Sequence, residues 1–398
     1  PFDLLVWGAT GFTGKYVAEY LAQHAPLNLK WAIGGRNEAK LQGVRQKIID
    51  INPHWSSRMG LLVADGQDAE GLARVVSQTK VVVSTVGPYM KYGRLLVRVC
   101  IEQETDYADI TGEPHFISRI IQDHHDQARD RGVLIIPSCG FDSVPSDIAV
   151  FLASSRLREA GYEVARTKGC MYQLQGGASG GTLQTVVTFL EQPIKEVRAT
   201  MNPYYLWPQA VPKPTVSPRF TPPTYYDRDF GSAQGAFPLC HGNELTVRRS
   251  AALQSPGYGP HFAYRETARY SSRITAWIST ISLGIGSLLL LYFPPARWIF
   301  RMLASSPGEG PSKESVETGS FDFRCVAQAD ISSEQKPVEM KSRIIGKGCP
   351  GYGSTRILLA EAGLAMALER SQCSGKGGVM TPSTGLGQVY VDRLEKAG

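Results

Sequence analysis

The chain is 398 residues long, 42% hydrophobic and 20% charged, and its net charge of +6 is the small difference between 42 basic and 36 acidic side chains. That length accommodates two or more domains with ample core. The basic excess is mild and unclustered, so nucleic acid is not implied, whereas weak attraction to phosphates or anionic surfaces is compatible with it. The seven cysteines (Cys100, Cys139, Cys170, Cys240, Cys325, Cys349 and Cys373) are scattered, odd in number and form no Cys-x-x-Cys pair. They read as reduced thiols in a cytosolic setting, with neither a disulfide framework nor a zinc site.

The first element is an apolar run, Phe2-Asp3-Leu4-Leu5-Val6-Trp7, expected to be a buried strand of the fold and not a signal peptide. Gly8-Ala9-Thr10-Gly11-Phe12-Thr13-Gly14 follows, and then an amphipathic stretch, 16–21, that suits a helix. Strand, glycine turn and helix in that order predict a dinucleotide pyrophosphate site. Gly8 allows the tight turn, Gly11 lets backbone approach the phosphates, and Gly14 lets helix pack on strand. Thr10, Phe12 and Thr13 complete the cradle, where the helix N-terminus offers N–H groups and partial positive charge. The spacing is G-x-x-G-x-x-G in place of the commoner G-x-G-x-x-G.

A second strand, 29–33, ends at Gly34-Gly35-Arg36-Asn37. An NAD enzyme usually places an acid here for the ribose hydroxyls. This chain has Arg36, whose guanidinium suits a 2′-phosphate, with Asn37 beside it and Lys40 one turn on. The expected cofactor is therefore NADPH. A helix over 38–51 and a third strand over 60–64 lead to Asp65, placed either to bond the adenine amine or to cap the next helix. The fourth strand, 80–86, delivers Thr85, Val86, Gly87 and Pro88 to the switch point where the nicotinamide belongs. Helices over 93–102 and 114–131 and strands over 106–109 and 133–136 complete about six strands of a doubly wound α/β unit.

The pattern changes at 137–145. Strands are expected over 164–175, 245–253, 262–270, 321–329 and 338–345, with an irregular proline- and aromatic-rich loop over 202–223. Residues 274–293 contain no charged side chain, are long enough to span a bilayer, and are flanked by Arg265, Arg269 and Arg273 on one side and Arg297, Trp298 and Arg301 on the other. A spanning helix would put later strands of one domain on the wrong side of the membrane. An in-plane or hairpin association with a membrane or lipid droplet, on its cytoplasmic side, avoids that contradiction, and a buried core or dimer helix is the alternative.

No Gly-x-Ser-x-Gly with a triad and no Tyr-x-x-x-Lys occurs. His124-His125, adjacent on a helix, suits an exposed surface better than a metal site. Topology directs the search to the carboxyl ends of the strands. Tyr89 is placed there to orient the nicotinamide or donate a proton, and Asp109 and Glu113 to hold hydroxyls. Asp142 and Ser143 stand on the opposite wall. Each of these four also suits a helix cap.

The glycine turn, with Gly-Gly-Arg, Val-Gly-Pro-Tyr, Asp-Ile-Thr-Gly-Glu-Pro, Cys-Gly-Phe-Asp-Ser-Val-Pro-Ser-Asp and the later runs at 179–182, 308–312, 350–353 and 377–382, resembles the saccharopine dehydrogenase-like oxidoreductases. That family includes the trans-acting enoyl reductases. The resemblance implies a Rossmann domain over 1–145, an α+β substrate domain over 146–353 with a hydrophobic insert at 274–293, and a segment, 354–398, returning to the first domain. It also implies NADPH and, in several members, membrane or lipid-droplet association. No basic cluster suited to an amino-diacid is evident. The expectation is reduction of an activated C=C bond in a hydrophobic polyketide or lipid-like substrate, free or carrier-bound, with a homodimer compatible. The alternatives are an imine or ketone reductase, or a lipid-surface protein that binds NADPH without turnover.

Overall fold

The computed structural model describes residues 1–176, 192–218, 220–254, 257–303, 313–331 and 338–398. The family runs at 179–182 and 308–312 lie outside the described residues. Two sheets organise the chain. The first has seven strands in the order β13-β6-β5-β4-β1-β2-β3: β1 (Leu4–Trp7), β2 (Trp31–Gly35), β3 (Met59–Val63), β4 (Val81–Ser84), β5 (Asp106–Asp109), β6 (Leu134–Ile136) and β13 (Gly378–Val379). All its pairings are parallel. Buried on both faces, β1, β2, β4 and β6 are short, largely apolar runs without alternation. The connecting helices are α1 (Phe12–His24), α2 (Glu38–Ile51), α3 (Ala69–Val76), α4 (Tyr89–Glu102) and α5 (Pro114–Asp130). The strand order reverses between β1 and β4, which leaves a crevice beyond their carboxyl ends.

From β6 the chain passes through α6 (Val144–Glu159) into a mixed six-stranded sheet, ordered β12-β11-β7-β10-β9-β8. Its strands are β7 (Val164–Gln175), β8 (Tyr225–Asp227), β9 (Ser232–Gly235), β10 (Ala263–Tyr270), β11 (Ser320–Ala329) and β12 (Glu339–Lys347). Only β7 and β10 pair in parallel. Its helices are α7 (Ile194–Thr200), α8 (Cys240–Leu253), α9 (Arg273–Tyr292), α10 (Pro294–Leu303) and α11 (Lys313–Thr318). Then α12 (Thr355–Glu369), α13 (Pro382–Leu386) and α14 (Gln388–Ala397) lie back along the first sheet, with β13 between them.

Two expected elements change. Residues 245–253, expected as a strand from their apolar and β-branched content, belong to helix α8. Glu244 and Arg248 pair across one turn at 2.9 Å, and the helix is buried against β10 and α6. Contacts on nearly all sides remove the polar stripe that marks a surface helix. The helix expected over 93–102 begins four residues earlier, at Tyr89. Its first N–H groups are satisfied by a distant carboxylate: Tyr89 and Met90 donate to Glu113 at 2.8 and 3.0 Å. His124 and His125 are half-buried, contrary to the exposed surface expected, and His125 Nδ1 accepts the Val379 amide.

The returning segment is held by buried polar bonds. Asp147 in α6 accepts from the Ser383 amide and hydroxyl at 2.8 and 2.9 Å and from Ser250 of α8 at 2.5 Å. Burial pushes this carboxyl up to about 6 against the pull of its donors. Replacing it strands three donors in the interior. Asp147→Ala is expected to lose about 3 kcal/mol in urea unfolding, and a loss under about 0.5 kcal/mol would remove Asp147 from this role.

Candidate active site

The glycine turn lies at the carboxyl end of β1, where Gly8 and Ala9 donate to the Gly34 carbonyl of β2. Gly8 has φ +88°, a conformation that glycine adopts without a Cβ penalty. A Cβ on Gly14 would stand 2.2 Å from the Gly8 carbonyl, so helix and turn meet at a distance only glycine permits. No side chain caps α1 at Gly11, and no acid occupies its first turn. The leading N–H groups are left to an anion. These features fit a dinucleotide pyrophosphate.

The other expected cofactor residues are distributed around this cradle. Thr85 donates to the Trp7 and Gly8 carbonyls at 3.3 Å, and Val86 packs under Gly8. Both brace the turn. Gly87 and Pro88 join through a cis peptide and lead into α4. Phe12 turns its ring onto Tyr352 at 4.5 Å, so its amide alone faces the cradle. Thr10 sits near Gly35, half-exposed, and Thr13 opens α1. Arg36 and Lys40 are exposed beside the end of β2. Asn37 caps α2, accepting the Lys40 amide at 2.9 Å. Asp65 accepts the Gln67 amide in a local turn, and Asp68 caps α3 in its stead.

Beyond β5 and β6 lies a cavity of about 60 Å³. Asp142, Ser143 and Ser138 form one wall, Gly112, Pro114 and Ile117 another. Leu206 and Leu239 close it, and α8 contributes Asn243 and Thr246. Asp142 is half-buried and makes no hydrogen bond among the described residues, and burial alone pushes its carboxyl up to about 6. Ser143 stands at the N-cap position of α6 without capping it through its side chain. Asn243 donates to Glu266 at 2.6 Å. Glu266 is fully buried and is pushed up to about 7, chiefly by burial.

Tyr89 is not in that cavity. Its ring is buried beside Phe116, its hydroxyl donates to the Ser84 carbonyl at 3.1 Å, and burial drives its pKa well above the ordinary phenol value. A phenol held this way braces β4 and is a poor proton donor. Asp109 likewise points inward, accepting from Thr111, Ser138 and Tyr107, and Glu113 caps α4. The residues missed from sequence are Ser138, Asn243 and Thr246. Thr246 was hidden by expecting a strand over 245–253, and Asn243 by expecting no element before that strand. Ser138 has φ +65°, an unusual backbone for serine that Asp109 and the Thr111 carbonyl hold in place.

Comparison with known proteins agrees with this geometry. Residues 4–136 match the saccharopine dehydrogenase NADP binding domain family. A trans-acting enoyl reductase of Mycobacterium ulcerans is 34% identical over 415 residues, covering 100% of this chain and 96% of the relative. The trans-acting enoyl reductase of Mycobacterium tuberculosis strain H37Rv is 33% identical over the same shares of the two chains. In fold, the chain is similar to the apo saccharopine dehydrogenase (L-Glu forming) of Saccharomyces cerevisiae, with a TM-score of 0.56 at 12% identity, covering 100% of this chain and 96% of that one.

Two substitutions test the cradle by NADPH fluorescence titration. Gly14→Val is expected to abolish binding. Arg36→Ala is expected to weaken NADPH by about ten- to hundredfold while sparing NADH, and equal weakening of both would remove Arg36 from phosphate recognition. With its glycine cradle, its exposed guanidinium and relatives that match it end to end, the chain belongs to the saccharopine dehydrogenase-like family, in the group of the trans-acting enoyl reductases, and is an NADP-dependent oxidoreductase.

Proposed function

We propose that the protein reduces the activated C=C bond of a hydrophobic acyl or polyketide substrate, free or carrier-bound, with Asp142 as proton donor. The observation that supports this role is a carboxyl facing the cavity beyond β5 and β6, without a hydrogen-bond partner among the described residues, with its pKa raised into the range useful for acid catalysis. NADPH, held by the glycine cradle and Arg36, supplies a hydride to the β-carbon when bound. Asp142 delivers a proton to the α-carbon, and the carboxylate left behind is reprotonated from water. Ser143 and the Asn243 amide are the donors available to the carbonyl oxygen as negative charge develops there. Glu266 accepts one amide hydrogen of Asn243 and so orients that group.

The exposed apolar helix α9 supports work at a lipid surface, on the cytoplasmic side of a membrane or lipid droplet. Its apolar face also suits a lipid-like substrate better than an amino-diacid.

A donor must be protonated, so with a pKa of about 6 the rate is expected to be level below pH 6 and to fall about tenfold per unit above it. Asp142→Asn is expected to lower kcat by about 10²–10⁴-fold and to flatten that limb, with NADPH affinity retained. Turnover of an enoyl thioester by Asp142→Asn at the wild-type rate and pH profile would exclude this role.

A further inference from the structure

The second sheet turns one face to α6 and the main core. Phe321, Phe323 and Cys325 of β11 sit in that core, and Ser342 of β12 donates to the Ala149 carbonyl of α6 at 2.6 Å. The alternate residues of these strands therefore point to the face away from α6. There, Arg343 of β12 stands across from Arg324 of β11, and Arg324 from Cys170 of β7. The parallel β7–β10 register brings Arg269 beside Tyr172, two residues further along the same face. The outcome is a row across four adjacent strands: Arg343, Arg324, Tyr172 and Arg269. The Arg324 guanidinium lies 3.4 Å from the centre of the Tyr172 ring, and that of Arg269 lies 4.3 Å from it.

Charge along this row is unbalanced. Asp322, two residues before Arg324, takes Arg343 on its two oxygens at 2.9 Å and Arg324 at 2.8 to 3.3 Å. Burial pushes its carboxyl up, but the two guanidiniums more than reverse this and hold it below the ordinary range, so it stays ionised. Arg269 is exposed and has no carboxylate partner among the described residues. Three guanidiniums therefore share one carboxylate. The neighbouring cations of the same strands are neutralised instead: Lys168 pairs with Asp227 and Asp229, and Arg265 with Glu244. Asp322 and the Tyr172 ring hold the arginines close together against their mutual repulsion. Side chains ordered in advance lose little rotamer freedom when a partner arrives. Ile345, across from Asp322 and 53% exposed, adds an aliphatic side chain to a patch of arginine and tyrosine, the residue types that anchor protein interfaces.

We propose that this row docks an acidic helix of a partner protein, whose carboxylates pair with Arg269, Arg324 and Arg343. Four adjacent strands extend over roughly 14 Å. Carboxylates at positions i, i+4 and i+8 of a helix extend over about 12 Å and lie along one side of it. The complement of the row is thus an acidic stripe and not a single anion. A second copy of this chain facing the row would set guanidinium against guanidinium, which opposes self-association here. The proposal does not rest on the reductive function proposed above.

The test titrates the full chain into a fluorescein-labelled helical peptide with Glu at i, i+4 and i+8, read by anisotropy. A peptide of the same composition, with its Glu residues dispersed around the helix, is the comparison. The striped peptide is expected to bind about tenfold more tightly than the dispersed one, and to weaken about tenfold as salt rises from about 0.05 to about 0.3 M. Arg269→Ala with Arg343→Ala is expected to weaken binding about tenfold or more, with NADPH affinity retained as the check on folding. Lys47→Ala with Arg58→Ala removes the same charge from exposed positions elsewhere and is expected to leave binding unchanged. Arg269→Glu is expected to lose the striped peptide and to regain it when a terminal Glu of the stripe is Lys. Equal binding of the two peptides, equal weakening by the two double variants, or tighter binding of a single-stranded oligonucleotide than of the striped peptide would each overturn the proposal. So would a dimer in light scattering that Arg269→Ala with Arg343→Ala dissociates. None of these measurements needs turnover, so failure of the reductive chemistry would leave them unaffected.

Discussion

The crevice depends on one buried carboxylate. Asp109, at the end of β5, is inaccessible to solvent and takes the amides of Thr111 and Ser138 on one oxygen and the Tyr107 hydroxyl on the other. Removing a carboxylate from water is costly, and these donors offset part of that cost. Burial still wins, and the group is pushed up to about 7. The arrangement joins the loop after β5 to the loop after β6 at a fixed distance. Ser138 is held in its unusual backbone, so the chain turns sharply enough to deliver Asp142 and Ser143 to the cavity. Glu113, a few residues on, does the same for α4 by taking its first two amides. Acids that a sequence reader would assign to chemistry are here the fasteners that place another acid.

That substitution of roles marks the limit of what the sequence discloses. The doubly wound character of the first sheet was legible, because short apolar runs between glycine turns and helices leave few alternatives to it, although the seventh strand, β13, was not expected. The glycine cradle was legible for the same local reason. Helix α8 was not: Leu245-Thr246-Val247 has β-branched, apolar character, and burial on all sides erases the polar stripe that would have indicated a helix. The positions of Asp109, Glu113 and Tyr89 near the crevice followed from topology, but the direction in which each side chain points depends in part on partners 20 to 30 residues away. Asp142 looks no different from them in the sequence. Among the described residues, it differs in having no donor pointed at it.

Helix α9 poses a different problem, since its composition alone left a spanning, an in-plane and a buried helix open. Burial in the chain's own core is excluded by the exposure of its apolar face, Ala276 being the helix's only fully buried side chain. The hydroxyls of Ser279 and Thr280 fall on the flank that meets the protein. Polar groups that weaken the helix as a bilayer span are the ones that fasten it sideways. A stretch that looks ambiguous in hydropathy becomes two-sided once its neighbours are known.

The two-residue strand β13 pairs with β6 although some 240 residues of chain separate them, and the amide of Val379 reaches back to His125. Such remote closure leaves the β6 edge of the first sheet open until Gly378 and Val379 have been made. Loop-closure entropy must be overcome before that edge is sealed, which favours slow final assembly. Until β13 docks, the backbone edge of β6 is a template for stray strands, so the chain's most distant pairing is also the one that protects the sheet from wrong partners.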